Sequence, residues 1–170
     1  GMLWLSTDGG VSMLDGKGKP FYHYRATPDN PNSLSNDDVR SLYVDQAGVI
    51  WVGTNGGGLS KFDRRTEKFT HYRHDPDEPN SLMGDAVWAI YEDREGLIWV
   101  GVYGLGLSKF DPHTEQFVHY RHDPENTLSL SNNVVSAIYE DRNGSLWIGT
   151  ENGLNKYDGH TFSRYQHDPN

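Results

Sequence analysis

The sequence contains no cysteine, which excludes disulfide bonds and thiolate metal sites but leaves the cellular compartment open. Hydrophobic residues make up only 35% of the chain, and no apolar run approaches the roughly 18 residues that a membrane-spanning helix requires. Basic residues are also scarce: the sequence has 15 lysines and arginines against 24 acidic residues, and its net charge is −9. This balance argues against a nucleic acid or an anionic membrane surface as a partner.

The first residues carry no signal-peptide pattern. Gly1-Met2 is typical of a remnant of recombinant expression in front of a start codon, so an export signal or an anchor would lie outside this sequence. At 170 residues the chain is long enough to form one domain with a substantial core.

Glycine and aromatic residues are plentiful, and they recur in a fixed order. Aromatic residues make up 12% of the chain and there are 19 glycines, a composition that favours many short strands over helices. One motif, a tryptophan between two aliphatic residues, recurs at intervals of 47, 48 and 48 residues, at Trp4, Trp51, Trp99 and Trp147. A constant period of this length predicts a repeat architecture.

The unit from Val39 to Ala86 shows what each repeat contains. Four short runs within it are predicted strands, at Val39–Val44, Ile50–Thr54, Leu59–Asp63 and Phe69–Arg73. Tight turns join these strands, and a longer polar crossover over residues 74–82 leads to the next unit. This connectivity predicts an all-β fold, a β-propeller of four-stranded antiparallel blades with about 48 residues per repeat.

Residues 1–170 are therefore interpreted as a single array of blades, with residues 1–2 as the expression remnant. Complete blades are predicted over 39–86, 87–134 and 135–170, whereas residues 3–38 form a partial blade that lacks its inner strand, followed by a crossover. Such an arc leaves apolar faces at both ends. We expect a partial ring that a second chain or strand exchange completes. Closure of the four blades on themselves and coverage by flanking sequence are the alternatives.

The repeated tryptophans are expected to be structural, because one position in every blade is what packing between blades requires. A role in stacking on a ligand is the alternative. The turns that begin at Asp45, Asp93 and Asp141 look acidic, but they are too short for a calcium loop. Each aspartate is expected to accept hydrogen bonds from amides of its turn.

The sequence predicts no metal site, no cofactor and no catalytic residue. Pairs such as His71 and His74 have a spacing that could hold zinc, but no third ligand repeats near them. No nucleophile lies near a base, and the carboxylates are scattered through turns rather than converging. The chain is therefore expected not to be an enzyme.

The candidate ligand site consists of positions where the blades differ although their scaffold is the same. The loop between the second and third strands and the start of the inner strand open on one face of the ring, and lone aromatics and polar groups occur there. The predicted ligand-binding residues are Trp88, Tyr103, Arg40, Asn55, Glu151 and Asp85. The alternative is that the residues at these positions differ only because neither folding nor binding constrains them.

The repeat itself resembles the two-component regulator propeller repeat. The resemblance rests on the run from Asn80 to Gly101, on Gly106–Asp111 and on Phe117–Pro124, and it extends over nearly the whole chain. It implies the extracytoplasmic sensor of a bacterial hybrid histidine kinase or a related receptor. In this family two seven-bladed propellers commonly precede a membrane helix, and ligands in gut bacteria are often oligosaccharides. The family pattern is structural, so it assigns no binding residue.

These observations give three hypotheses for function. The first is a periplasmic or extracytoplasmic sensor segment that binds a small polar ligand or an oligosaccharide, without contacting the membrane itself. The second is an assembly scaffold that mediates receptor dimerisation, and the third is a propeller enzyme that acts on polysaccharides. Expected partners are a second copy, bound head to tail or by strand exchange, or adjacent blades of a longer receptor.

Overall fold

The computed structural model describes residues 2–15 and 21–167, and these residues form fifteen β-strands and no helix. Gly1 and the predicted end of the last crossover, residues 168–170, lie outside the described residues. The first sheet contains β1 (Met2–Thr7), β2 (Gly10–Asp15) and β3 (Tyr22–Tyr24). The second contains β4 (Val39–Val44), β5 (Ile50–Thr54), β6 (Leu59–Asp63) and β7 (Lys68–Tyr72). The third contains β8 (Val87–Glu92), β9 (Ile98–Val102), β10 (Gly106–Asp111) and β11 (Gln116–Tyr120). The fourth contains β12 (Val135–Glu140), β13 (Leu146–Thr150), β14 (Gly153–Tyr157) and β15 (Phe162–Tyr165).

Within each sheet, every strand pairs antiparallel with the next strand in the chain, so each sheet is a meander. The inner strands β4, β8 and β12 pack side by side, and β1 lies against β4, which arranges the sheets as successive blades of an open arc. The predicted all-β fold, with three complete blades and one that lacks its inner strand, is confirmed. The described residues contain no helix that is long and apolar enough to cross a bilayer.

The tight turn between the first and second strands of a blade is hydrogen-bonded to the tryptophan that follows it. Asp93 accepts the backbone N–H of Leu97 at 3.0 Å with one carboxylate oxygen and the indole N–H of Trp99 at 2.7 Å with the other. The same pair of bonds recurs at Asp45 and at Asp141. Glycine closes each turn at positive φ, as at Gly96 with φ 82°. The turn therefore fixes the ring that packs against the next blade.

The hydrophobic core lies between the blades rather than within them. At the junction of the second and third sheets, Trp51 and Tyr72 pack against Phe110 at ring-centroid distances of 5.9 and 4.6 Å. Equivalent rings meet at the other two junctions: Trp4 and Tyr24 on Phe62, and Trp99 and Tyr120 on Tyr157. A leucine from each crossover, Leu34, Leu82 or Leu130, is buried beside them.

Each inner strand contains a β-bulge near its start. The pairing with the second strand shifts register between Val39 and Ser41, and again between Val87 and Ala89 and between Val135 and Ala137. One residue in each inner strand is thus left out of the ladder, which is how bulges redirect a side chain. These residues are Arg40, Trp88 and Ser136.

Candidate functional site

The three bulged residues are all exposed, and each lies beside the loop between the second and third strands of its own blade. A backbone hydrogen bond holds that loop in place, since the N–H of Tyr103 donates to the carbonyl of Ala86 at 2.8 Å. Equivalent bonds join Asn55 to Asp38 at 2.8 Å and Glu151 to Val134 at 3.2 Å. Every complete blade therefore presents one bulge residue and one loop residue together.

In the third blade these two residues are aromatic, and they stack. The rings of Trp88 and Tyr103 have their centroids 3.9 Å apart and their planes inclined by 22°. The two residues are nevertheless 36% and 44% exposed. Exposed, stacked rings offer a flat apolar surface to a ligand.

Polar groups of the second blade adjoin this surface. Asp38 and Arg40 form a bidentate ion pair with both contacts at 2.9 Å, and the amide of Asn55 donates to Asp38 at 2.9 Å. The hydrogen bond from Asn55, followed by that from Arg40, holds the pKa of the Asp38 carboxyl below its usual value. The guanidinium carbon of Arg40 lies 5.9 Å from the ring centroid of Trp88, within the range of a cation–π contact. We call these five residues, Asp38, Arg40, Asn55, Trp88 and Tyr103, the rim cluster.

Four of the six predicted ligand-binding residues are therefore brought together: Arg40, Asn55, Trp88 and Tyr103. Asp85 instead accepts the backbone N–H of His74 at 2.8 Å and so orders the crossover. Glu151 lies in the equivalent loop of the fourth blade, beside the bulge residue Ser136. The sequence prediction missed Asp38. The same criterion would have found it, because alanine and valine stand at the equivalent positions 86 and 134.

The repeated histidines are engaged in the scaffold. His119 accepts a hydrogen bond from the hydroxyl of Ser108 at 2.9 Å, and its other ring nitrogen donates to the carbonyl of Ser81 at 3.1 Å. Burial lowers the pKa of His119, and it also lowers that of the equivalent His71. His74 donates to the carbonyl of Leu82. Within residues 2–15 and 21–167, no group of three histidine or acidic side chains is placed to hold a metal ion.

A cavity of about 520 Å³ lies elsewhere, between the third and fourth blades. Its charged residues belong to the scaffold: Arg94 pairs with Glu140 across the junction, and the ammonium group of Lys109 lies over the ring of Trp99 at 5.8 Å. Lys61 and Lys156 repeat this contact over Trp51 and Trp147. We place the candidate site at the rim cluster instead, because two large aromatic rings are exposed there.

The sequence pattern described as "Two component regulator propeller" matches residues 33–56, 81–104 and 129–152. The chain contains three two-component regulator propeller repeats. Each matched segment runs from the end of a crossover, through the bulge and the turn aspartate, to the loop that follows the tryptophan. The family prediction made from the sequence is confirmed. A comparison with curated proteins found no match.

Solved structures with the same fold include propeller receptors. One is the extracellular domain assigned to a hybrid two-component system of B. thetaiotaomicron, with a TM-score of 0.69 and 27% identity over 96% of this chain. A second, assigned to a one-component system of the same organism, has a TM-score of 0.73 and 23% identity, also over 96% of this chain. This propeller repeat protein covers only 28% and 22% of those two chains.

Enzymes also share this architecture. A streptogramin B lyase aligns with all of the repeat protein, with a TM-score of 0.71, 21% identity and 52% of the lyase covered. At this identity, as at the 23% of the one-component receptor, the likeness establishes the fold alone.

Proposed function

We propose that this chain is a ligand-sensing segment of an extracytoplasmic propeller in a bacterial two-component receptor, and that its rim cluster binds a small polar ligand or an oligosaccharide. The observation that carries the proposal is the stacked, exposed pair of Trp88 and Tyr103 beside the polar groups of the neighbouring blade. The likeness to the extracellular domain of a hybrid two-component system supports the cellular setting.

The chemistry of the rim cluster suits a sugar. An aromatic face packs against the C–H face of a sugar ring, while a few placed polar groups bind its hydroxyls. Here Arg40 lies next to the ring of Trp88, and both Arg40 and Asn55 are held by Asp38. Because these side chains are oriented before a ligand arrives, binding would cost less conformational entropy.

The position of the rim cluster also provides a route for a signal. Asp38, Arg40 and Asn55 belong to the second blade, whereas Trp88 and Tyr103 belong to the third. A ligand in contact with both would bind most tightly to one relative placement of the two blades. It would favour that placement by its difference in affinity, which is what transmission requires.

A melting-temperature screen against neutral and acidic oligosaccharides, followed by calorimetry on the hits, tests the proposal. The informative variant is Trp88→Ser, because the equivalent bulge of the fourth blade already contains Ser136 and the fold accepts serine there. We expect this variant to bind a hit at least about tenfold more weakly, a loss of about 1.4 kcal/mol, with an unchanged melting temperature in the absence of ligand.

Tyr22→Ser is the matched control, because Tyr22 is an exposed aromatic residue on β3, outside the rim cluster. It should leave the affinity unchanged. Equal weakening by both variants, or no oligosaccharide that shifts the melting temperature, would count against a binding role for the rim cluster.

A scaffold that mediates receptor assembly is the second candidate. The observation that favours it is the contact between the half-buried Trp147 and the exposed Tyr165 on the fourth blade, at a ring-centroid distance of 5.7 Å. A catalytic role has less support, since cleavage of polysaccharides needs two carboxylates that converge at roughly 5–10 Å. In the rim cluster the carboxylate is that of Asp38, and it is bonded to Arg40 and Asn55.

A further inference from the structure

The crossover that leads into the fourth blade holds a cation of its own chain. Arg164, on β15, donates from Nη2 to the carbonyls of Asp123 and Asn126 at 3.3 and 2.7 Å. The same nitrogen donates to the hydroxyl of Ser129 at 2.7 Å, and Nε donates to the carbonyl of Ser129 at 2.8 Å. One guanidinium group therefore binds four oxygens of the loop at residues 123–129.

The crossover that leads into the third blade forms the same loop. The hydroxyl of Ser81 donates to the carbonyl of Asp75 and accepts the N–H of Asp75, both at 2.9 Å. The N–H of Glu78 donates to the carbonyl of Asp75 at 3.1 Å, and the N–H of Ser81 donates to the carbonyl of Glu78 at 2.9 Å. The loop at residues 123–129 has each of these bonds. We call the carbonyl oxygens of Asp75 and Glu78 and the hydroxyl oxygen of Ser81 the crossover cradle.

The third blade lacks the donor that the fourth blade supplies to this loop. The residue equivalent to Arg164 is His119, since each pairs with the same position of the third strand. The ring of His119 donates to the carbonyl of Ser81 at 3.1 Å and so takes the place of the arginine Nε. In the part of the chain that the structure describes, no side chain outside the loop donates to the crossover cradle. A cavity of about 190 Å³ lies there instead.

The charges around this cavity favour a cation. Two acids, Asp75 and Glu78, line it against one guanidinium, that of Arg121. Burial lowers the pKa of the His119 imidazole, so that ring is neutral near pH 7. The second blade has an equivalent cavity, but a single acid and a single arginine line it, so the charges favour the third blade.

We propose that the crossover cradle binds a primary ammonium group of a small amine, with its three N–H donors directed at the three oxygens. The fourth blade shows that one nitrogen can reach all three equivalent acceptors, because the Nη2 of Arg164 does so. An alkylammonium group has three donors and no acceptor, so it matches a site made of acceptors alone. Hydrogen bonds from a charged donor are also stronger than those between neutral groups.

Titration of the isotope-labelled chain with n-butylammonium chloride, followed by amide NMR shifts, tests the proposal. We expect saturable shifts at Asp75, Glu78 and Ser81, because the N–H groups of these residues close the loop. Tetramethylammonium chloride is the matched control, since it has the same charge but no N–H donor. It should leave the three amides where they are, and equal shifts with both salts would overturn the proposal.

A double variant transfers the fourth-blade residues to the third blade. Ser108→Asn together with His119→Arg reproduces the pair formed by Asn155 and Arg164. The new guanidinium group should occupy the crossover cradle, so the variant should bind n-butylammonium at least about tenfold more weakly and keep the far-ultraviolet circular dichroism of the parent. A folded variant that binds the amine as the parent does would contradict the proposal.

The reciprocal variant, Asn155→Ser with Arg164→His, should open a second cradle in the fourth blade. We expect n-butylammonium to shift amides within residues 123–129 in this variant, and a folded chain without such shifts would also refute the proposal. The proposed amine site lies beside β11 and does not depend on the rim cluster. Trp88→Ser should therefore leave the amine titration unchanged, and failure of one site would leave the other untouched.

Discussion

At the scale of single residues, one carboxylate per blade joins the turn to the core. Asp93 accepts the N–H groups of Glu95 and Leu97 with one oxygen and the indole of Trp99 with the other. Trp99 is buried, so removing that acceptor takes away the hydrogen-bond partner of a buried indole N–H. The aspartate is therefore as much a part of the junction between blades as the ring that it holds.

Replacing Asp93 should destabilise the protein, and the loss should be larger when the new side chain has no oxygen that can accept a hydrogen bond. We expect Asp93→Ala to lower the free energy of unfolding by about 2–3 kcal/mol, because hydrogen bonds to a charged group and a buried donor are lost together. Asp93→Asn keeps one oxygen acceptor and should lose roughly half as much. Urea denaturation of both variants measures the difference, and an alanine variant as stable as the parent would show that the bonds contribute nothing net.

At the scale of elements, a glycine follows Trp51, Trp99 and Trp147 by two positions, and the inner strands beside it limit the space for a side chain. A Cβ atom on Gly53 would lie 2.8 Å from the carbonyl oxygen of Val87, on the inner strand of the next blade. Gly149 has the same place in the fourth blade, where the nearest atom to such a Cβ is that of Ala137 at 3.5 Å. The inner strand of the third blade therefore comes too close to Gly53 for a side chain at that position.

These two glycines should respond differently to the same substitution. We expect Gly53→Ala to cost roughly 1–3 kcal/mol or more, because the clash is with backbone that can move only if the blades separate. Gly149→Ala is the matched control and should cost less than about 1 kcal/mol, since its surroundings are at ordinary contact distance. Thermal unfolding of the pair tests this, and equal losses would mean that strand geometry rather than blade contact sets the requirement.

The elements themselves were predictable from the sequence, whereas their contacts were not. Alternation and turn residues located the strands, because both are local properties of the chain. The bond from Trp99 to Asp93 and the bulge at Trp88 depend on how strands pair, and the spacing of residues carries no sign of either. The rim cluster was largely predictable, since variation at a constant scaffold position is visible in the repeats. Asp38 satisfies the same criterion and was overlooked, whereas its bond to Asn55 is visible only in the folded loop.

At the scale of the whole molecule, each blade is stabilised only by its neighbours. The three core clusters coincide with the three junctions, so the protein is close to a one-dimensional array. In such an array damage at one junction should loosen the blades beside it and leave distant ones intact.

Tyr157 offers a test of this behaviour, because it joins the third and fourth blades through the rings of Trp99 and Tyr120, both at 5.3 Å. We expect Tyr157→Ala to speed amide hydrogen exchange over residues 135–165 and to leave residues 39–72 at the parent rates. Tyr157→Phe keeps a ring of the kind that Phe110 supplies at the preceding junction, but it loses the hydroxyl contacts with Tyr120 at 2.9 Å and with the carbonyl of Gly159 at 2.7 Å. It should therefore speed exchange less than Tyr157→Ala does, without being neutral. Uniformly faster exchange across all four sheets would show instead that the array unfolds as one unit.

The bulge in every inner strand has a consequence for how this protein can change over time. Because the redirected residue makes no ladder pair, the three blades already accommodate a guanidinium, an indole and a hydroxyl at one backbone site. A single codon change there exchanges the chemical group shown to the surroundings while the register of the flanking strands stays as it is. New recognition properties can therefore be sampled by natural variation, or installed by an engineer, without rebuilding the scaffold.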